Sequence, residues 1–149
     1  MVIAIGADHG GVKYKEKIKE YFKNYVNFID VGSAEINLDD NYAEISLRVG
    51  EKVRDKSAEF GIMICRTGVG AVIALNKIKG IRAGLLESVE GVYLARKKNN
   101  INVLSFGADN ISVNKAIKIV SKFLSTEFEG GRHIARLRVI SDYEEKNIR

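Results

Sequence analysis

Residues 60–75 read FGIMICRTGVGAVIAL, and this stretch decides the fold class. An apolar run ends at Cys65, a turn containing Gly68 and Gly70 follows, and a second apolar run begins directly after it. A short apolar run before a glycine turn is typical of a buried parallel strand, and the run after the turn predicts a short helix. The stretch therefore predicts one β-α unit of a parallel sheet.

The same unit recurs along the chain. Strands are predicted at 2–5, 26–31, 61–65, 81–86 and 102–106, and helices at 12–25, 42–56, 69–78, 88–98 and 113–124, with Ser112 as a helix cap. Five repeats predict an α/β fold with a parallel sheet, helices on both faces and right-handed crossovers. A last, arginine-rich helix begins at about Arg132 with no strand after it. We expect it to pack on the outside of the domain or on another subunit.

The composition is that of one globular domain spanning 1–149, with 46% hydrophobic and 29% charged residues. A single cysteine excludes an internal disulfide and favours the reducing cytosol. The start, MVIAIGADHG, lacks a basic leader, so we expect no signal peptide, and no apolar stretch is long enough to span a membrane. The net charge of +5 comes from cations interleaved with acids, which favours solvated helix faces over a nucleic-acid surface.

Polar and reactive residues concentrate where the predicted strands end. Ligands of open parallel sheets bind beyond the carboxyl ends of the strands, so these segments are the candidates for a site. They are 6–11, 30–33 (ending at Ser33), 65–70, 86–87 and 107–110. Their glycine spacings match neither a dinucleotide fingerprint nor a P-loop, and one cysteine with two histidines argues against a structural zinc site.

Cys65 has two interpretations. The glycines and the start of the next helix would present N–H groups to an anion, and the same field would lower the pKa of the thiol. The alternative is a buried, inert core cysteine, which is the usual state of a free cysteine at a strand end.

Two further features leave a similar choice. Asp8-His9 is either a capping carboxylate with a surface imidazole, or a proton-handling and anion-binding pair. Arg132 and Arg136 are four residues apart, so on a helix they share one face and suit a phosphate; the alternative is a solvated or acid-paired face. Taken together, a thiol near an anion hole, an Asp-His pair and a phosphate fork are the parts that aldose–ketose interconversion of a sugar phosphate needs.

Five segments carry a family resemblance: GADHGG (6–11), ICRTGVG (64–70), NKIKGIRAGL (76–85), NNINVLSFG (99–107) and FEGGRHIARLRVI (128–140). They resemble the B-type ribose-5-phosphate isomerases, a family that includes galactose-6-phosphate isomerase subunits, and agreement is weakest from about 33 to 60. The resemblance implies a Rossmann-like three-layer α/β/α sandwich with a five-stranded parallel sheet. It also implies a cytoplasmic homodimer or tetramer with a site shared between subunits, a C-terminal helix packed on the partner, and no metal or organic cofactor.

The resemblance also implies residue roles, carried over by position. Cys65 would be the base that moves a proton between carbons 2 and 1, and Thr67 would assist proton transfer between the substrate oxygens. Asp8 would help to open the sugar ring, with Lys98 in place of the family histidine. The other residues would bind substrate: the amides of Gly68, Val69 and Gly70 with Asn99 would stabilise the enediolate, and His9, Arg132 and Arg136 would hold the phosphate.

The chain departs from the family pattern at several positions. Arg66 replaces the usual glycine, Lys98 replaces a histidine thought to open the furanose ring, and Asp109 replaces an arginine that binds phosphate in some members. The tyrosine–proline segment of the second loop becomes residues 39–42, DDNY. We expect Arg66 to favour the Cys65 thiolate, and Asp109 to weaken phosphate binding unless Arg66 or Lys98 pairs with it.

Three functions therefore remain open at the level of sequence. The first is an isomerase of ribose 5-phosphate, and the second is an isomerase of a galactose- or allose-type hexose 6-phosphate. The third is a non-catalytic subunit that binds a sugar phosphate, which the changes at Lys98 and Asp109 would favour.

Overall fold

A computed structural model describes residues 1–32 and 37–148, and within these ranges strands and helices alternate as predicted. The elements are β1 (Val2–Ala7), α1 (Val12–Phe22), β2 (Asn27–Asp30), α2 (Tyr42–Arg54), β3 (Phe60–Cys65), α3 (Val69–Leu75), β4 (Ala83–Leu85), α4 (Val89–Asn99), β5 (Val103–Gly107), α5 (Val113–Ser125) and α6 (Arg132–Asn147). All strand pairings are parallel, in the order β2-β1-β3-β5-β4. The predicted five-stranded parallel sheet and three-layer fold are confirmed. Ser33 lies outside the described residues.

Two apolar clusters cover the two faces of the sheet. On one face, Ile18 of α1, Val92 of α4 and Phe123 of α5 pack against strand residues such as Ile5 and Ile62. The other face joins α2 and α3 to alternate strand positions, including Ala4, Met63 and Cys65. Side chains alternate across a strand, so burial on both faces explains why the strands read as continuous apolar runs. The Cys65 side chain consequently lies under α2 and α3.

The order of the strands creates a switch point between β1 and β3. The chain leaves β1 toward β2 and later returns to the other side of β1 with β3, whose Ile64 pairs with Ala7 at the carboxyl ends. Loops that leave adjacent strands toward opposite faces open a crevice, which is where ligands of such sheets bind. The loops after Ala7 and after Cys65 meet here.

Most differences from the predicted boundaries lie at element ends. α3 ends at Leu75 and not at Ile78, because the Asn76 side chain turns to the edge strand and exchanges two hydrogen bonds with the backbone of Ala83, at 2.8 and 3.0 Å. β4 begins at Ala83 and not at Ile81, since the amide of Arg82 donates to the Asn102 side chain. Ser112 caps α5 as predicted, accepting from the Lys115 amide at 3.1 Å.

α6 packs on the outside of the domain. It touches its own chain through α4 and through the loop before β4, where Glu144 accepts from the Gly80 amide at 3.1 Å and Lys79 pairs with Glu145 at 2.7 Å. Four large apolar side chains on this helix stay exposed: Ile134, Val139, Ile140 and Tyr143. Among the described residues, no helix has the length and apolar character needed to cross a membrane.

Candidate active site

A cavity of about 240 Å³ opens at the switch point. Its walls come from the loops after β1 and β3 and from the first turn of α2: Asp8, Tyr42, Cys65, Arg66, Thr67 and Gly70. The structure thus brings together the predicted residues Asp8, Cys65, Thr67 and Gly70. Larger grooves elsewhere on the surface, such as one of about 490 Å³ between α4 and α5, lack a thiol.

Cys65 sits at the end of β3 with only 5% of its surface exposed. Its Sγ accepts a hydrogen bond from the Gly68 amide at 3.1 Å, a geometry that depends on the left-handed backbone of Gly68 at φ 83°. Burial raises the pKa of the thiol, with the Asp8 carboxylate adding to the rise and the Gly68 amide opposing it. The prediction of a lowered thiol pKa was therefore wrong, because the loss of hydration outweighs the amide field.

Arg66 lies at the wall of the cavity and is paired with an acid. Its Nε donates to Asp109 Oδ2 at 3.0 Å, and its side chain is 67% exposed. The stem of the side chain crosses Gly10, where an added Cβ would come within 2.4 Å of Arg66 Cγ. Two of the departures from the family pattern thus form one ion pair at the rim of the cavity. The expectation that Arg66 would promote the thiolate has no support, since the guanidinium is engaged by an acid.

Asp8 is buried at the floor of the site. Its Oδ1 accepts from the Gly10 amide at 2.9 Å, which closes the turn after β1. Burial raises the pKa of this carboxyl, the Gly10 amide opposes the rise, and the neighbouring Asp40 carboxylate adds to it. A carboxyl with a raised pKa beside a thiol is suited to proton transfer.

His9 pairs with Asp40, a residue that the sequence did not mark as functional. The two atoms His9 Nδ1 and Asp40 Oδ1 are 2.9 Å apart. This hydrogen bond raises the pKa of His9, and the only sign of it in the sequence was the altered segment 39–42. Asp8, His9 and Asp40 form one cluster, in which a carboxylate or imidazole atom of each residue lies within 4.8 Å of the others.

Tyr42 is the second residue of the site that sequence reasoning missed. Its ring lies against Gly70, where an added Cβ would stand only 2.4 to 2.6 Å from ring atoms. Gly70 therefore allows α2 and α3 to approach closely at the mouth of the cavity. The ring and the glycine together set its width.

Comparisons with known proteins place the chain in a family. A family model described as Ribose/Galactose Isomerase matches residues 3–140. The chain belongs to this family. A Listeria innocua protein named ribose-5-P isomerase B is 34% identical over 148 residues, covering 99% of both chains.

Solved structures from the ribose/galactose isomerase family have the same fold. Ribose-5-phosphate isomerase B of Clostridium thermocellum superposes with a TM-score of 0.94 at 37% identity, over 98% of this chain and 99% of that one. The enzyme of Mycoplasma genitalium, solved with bound ribulose-5-phosphate, gives a TM-score of 0.94 at 38% identity, over 98% of this chain and 97% of that one.

Four residues to which the resemblance gives a role lie away from the Cys65 cavity within one chain. Lys98 is exposed at the end of α4, and Asn99 lines a different groove beside α6. Arg132 and Arg136 are exposed on the first turns of α6, with no acidic partner within 4.0 Å among residues 1–32 and 37–148. Their roles at the site remain predictions.

Proposed function

We propose that this protein is an aldose–ketose isomerase that interconverts ribose 5-phosphate and ribulose 5-phosphate. The observation that carries the proposal is the placing of one buried thiol and one buried carboxyl, Cys65 and Asp8, in a single cavity of about 240 Å³. Membership of the ribose/galactose isomerase family and the relative solved with ribulose-5-phosphate support the choice of substrate.

In the proposed reaction the sugar ring opens first, and Asp8, whose carboxyl has a raised pKa, transfers the proton that opening requires. The Cys65 thiolate then removes the proton from carbon 2 of the aldose and returns it to carbon 1. Thr67, exposed at the cavity wall, moves the hydroxyl proton between the two oxygens. Backbone amides of 68–70 donate hydrogen bonds that stabilise the negative charge of the enediolate. Without substrate, the Gly68 amide donates to Cys65 Sγ.

We further propose that the site is completed by a second copy of the chain. Asn99, for the enediolate, and Lys98, for ring opening, would come from the neighbouring subunit. Arg132 and Arg136 would bind the phosphate from the same subunit, together with His9 of this one. This division is supported by the exposure of all four side chains away from the cavity and by the exposed apolar residues of α6. The need for a reduced, titrating thiol favours a cytoplasmic location.

The test is to incubate the purified protein with ribose 5-phosphate and measure ribulose 5-phosphate, with Cys65→Ala as the matched variant. Removing a general base costs about 10²- to 10⁴-fold in rate, and alanine keeps the packing of the β-carbon. We expect turnover by the parent protein and a loss of this size in the variant. Binding of ribose 5-phosphate without turnover would replace the proposal by a non-catalytic binding subunit, and a higher kcat/KM for a hexose 6-phosphate would reassign the substrate.

A further inference from the structure

Asp40 is a buried acid whose placement calls for an explanation. It precedes the cap of α2, and only 8% of its side chain is exposed. Its Oδ1 lies 2.9 Å from His9 Nδ1, 31 residues away in sequence, and its Oδ2 is buried with no hydrogen-bond partner among residues 1–32 and 37–148. Burying a carboxylate destabilises the folded protein unless hydrogen bonds or ion pairs replace its hydration. The cost suggests that the contact with His9 has a role beyond folding.

Three charged groups act on His9, one from each loop that surrounds it. Asp8 lies next to it after β1, Asp40 approaches from the loop before α2, and Arg66 approaches from the loop after β3. Arg66 opposes protonation of the imidazole, but it is itself paired with Asp109 at 3.0 Å. Among the described residues, the Asp40 contact is the hydrogen bond that fixes the ring, and it occupies Nδ1 alone.

A carboxylate on one imidazole nitrogen determines what the other nitrogen can do. It orients the ring, makes Nδ1 the protonated nitrogen and favours the imidazolium form, in which Nε2 carries a proton as well. An imidazolium Nε2–H donates a charge-assisted hydrogen bond to an anion, which is about twice as strong as a neutral one.

We infer that Asp40 is a positioning residue for phosphate binding: through Nδ1 it holds His9 as an oriented cation whose Nε2–H faces the substrate phosphate. The inference rests on the proposed function, in which His9 is a phosphate ligand. It also explains why an acid of the altered segment 39–42 lies against His9.

The first experiment measures the imidazole directly. The chain has two histidines, so ¹H–¹³C NMR of the ring positions yields two signals, and His9→Asn assigns them. The pKa of His9 is raised chiefly by Asp40, so Asp40→Asn should lower it. Asp39→Asn removes the same charge from an exposed neighbour and should leave the His9 titration where it is. If His9 has the same pKa in Asp40→Asn as in Asp39→Asn, the inference is overturned.

The second experiment measures the consequence for binding. Because His9 in the variant loses its charge at a lower pH, Asp40→Asn should raise both KM for ribose 5-phosphate and the dissociation constant of inorganic phosphate, by up to about tenfold at a pH between the two measured His9 titrations. At a pH below both titrations the two proteins keep the imidazolium, so the change there should be less than about twofold. Asp40 does not line the cavity, but it also raises the pKa of Asp8, so the dissociation constant of inorganic phosphate, which involves no proton transfer by Asp8, is the readout that decides.

The two proposals can fail separately. A parent protein that does not turn over ribose 5-phosphate, yet binds inorganic phosphate in the Asp40-dependent way, removes the proposed function and keeps this inference. A His9 titration that shifts while phosphate binding and KM do not overturns the inference. Should Asp40→Asn fail to fold, inorganic phosphate is titrated into the parent protein while the NMR signal of the His9 ring is followed. We expect that signal to shift as phosphate binds, and an unchanged signal overturns the inference.

Discussion

At neutral pH the surroundings of Cys65, the proposed base, hold its thiol mainly in the protonated form. Burial raises the pKa of the thiol, and the Asp8 carboxylate adds to that rise. The Gly68 amide, whose nitrogen lies 3.1 Å from Cys65 Sγ, lowers the pKa, but by less than burial raises it. A thiol in this position gains basicity as its pKa rises, because a stronger base removes a carbon-bound proton more readily, but less of it is ionised at neutral pH. The proposed reaction must therefore depend steeply on pH.

We expect kcat/KM to rise by about tenfold per pH unit on the acid side of the Cys65 titration, because only the thiolate accepts a proton. The raised pKa moves this rise to higher pH, so the profile should still be climbing near pH 8.5, where an ordinary thiol is half ionised. The rate of alkylation by iodoacetamide measures the same ionisation without substrate, since Cys65 is the chain's one cysteine. A level profile from about pH 7 upward in both measurements would contradict a raised thiol pKa.

At the scale of elements, the end of α4 is held by a buried arginine. Arg96 is 4% exposed, and its guanidinium donates to the carbonyls of Thr126 and Ile101 and to the Asn100 side chain. The group also stacks over the Phe60 ring, 4.8 Å from its centroid. Lys98 and Asn99 follow two and three residues later, so the contacts of Arg96 fix the position of the segment that carries them.

Arg96→Met should destabilise the protein by about 2–4 kcal/mol, because methionine fills part of the volume but leaves the buried Ile101 carbonyl and the partly buried Thr126 carbonyl without this donor. Urea unfolding followed by circular dichroism measures the change. Lys97→Met is the control: its ammonium is partly exposed and lies 3.0 Å from the Tyr93 hydroxyl, so its loss should destabilise the protein far less than Arg96→Met does. If the two substitutions lower the free energy of unfolding equally, Arg96 does not anchor the end of α4.

The element pattern was predictable because burial on both faces of a parallel sheet leaves continuous apolar runs, and glycines mark their ends. The missed boundaries depend on side chains that bond to distant backbone, as Asn76 does to Ala83. The site was predicted where strand ends supplied its residues, as with Asp8 and Cys65. Tyr42, which lines the cavity from the start of α2, and Asp40, which contacts His9 from the loop before α2, were missed because neither follows a strand. The direction of Arg66 depends on Asp109, 43 residues away.

At the scale of the whole molecule, the residues that the proposed reaction needs lie in two separate places on one chain. Cys65 and Asp8 line the cavity, while Arg132 and Arg136 stand exposed on α6. The same helix exposes Val139 at 69% and Tyr143 at 65%, apolar surface that association would cover. In a two-fold dimer every contact between two surfaces occurs twice, with the roles of the chains exchanged, so one arrangement would complete two sites at once.

A shared site predicts that two inactive variants restore each other. Cys65→Ala supplies intact arginines, and Arg132→Ala/Arg136→Ala supplies an intact thiol. After mixed unfolding and refolding in equal amounts, about half of the dimers are heterodimers, and each has one complete site, so about a quarter of the parental activity should return. Mixing without unfolding is the control and should recover less, since subunits must exchange. If each chain uses its own arginines, no mixture recovers activity, and the division of the site between subunits is wrong.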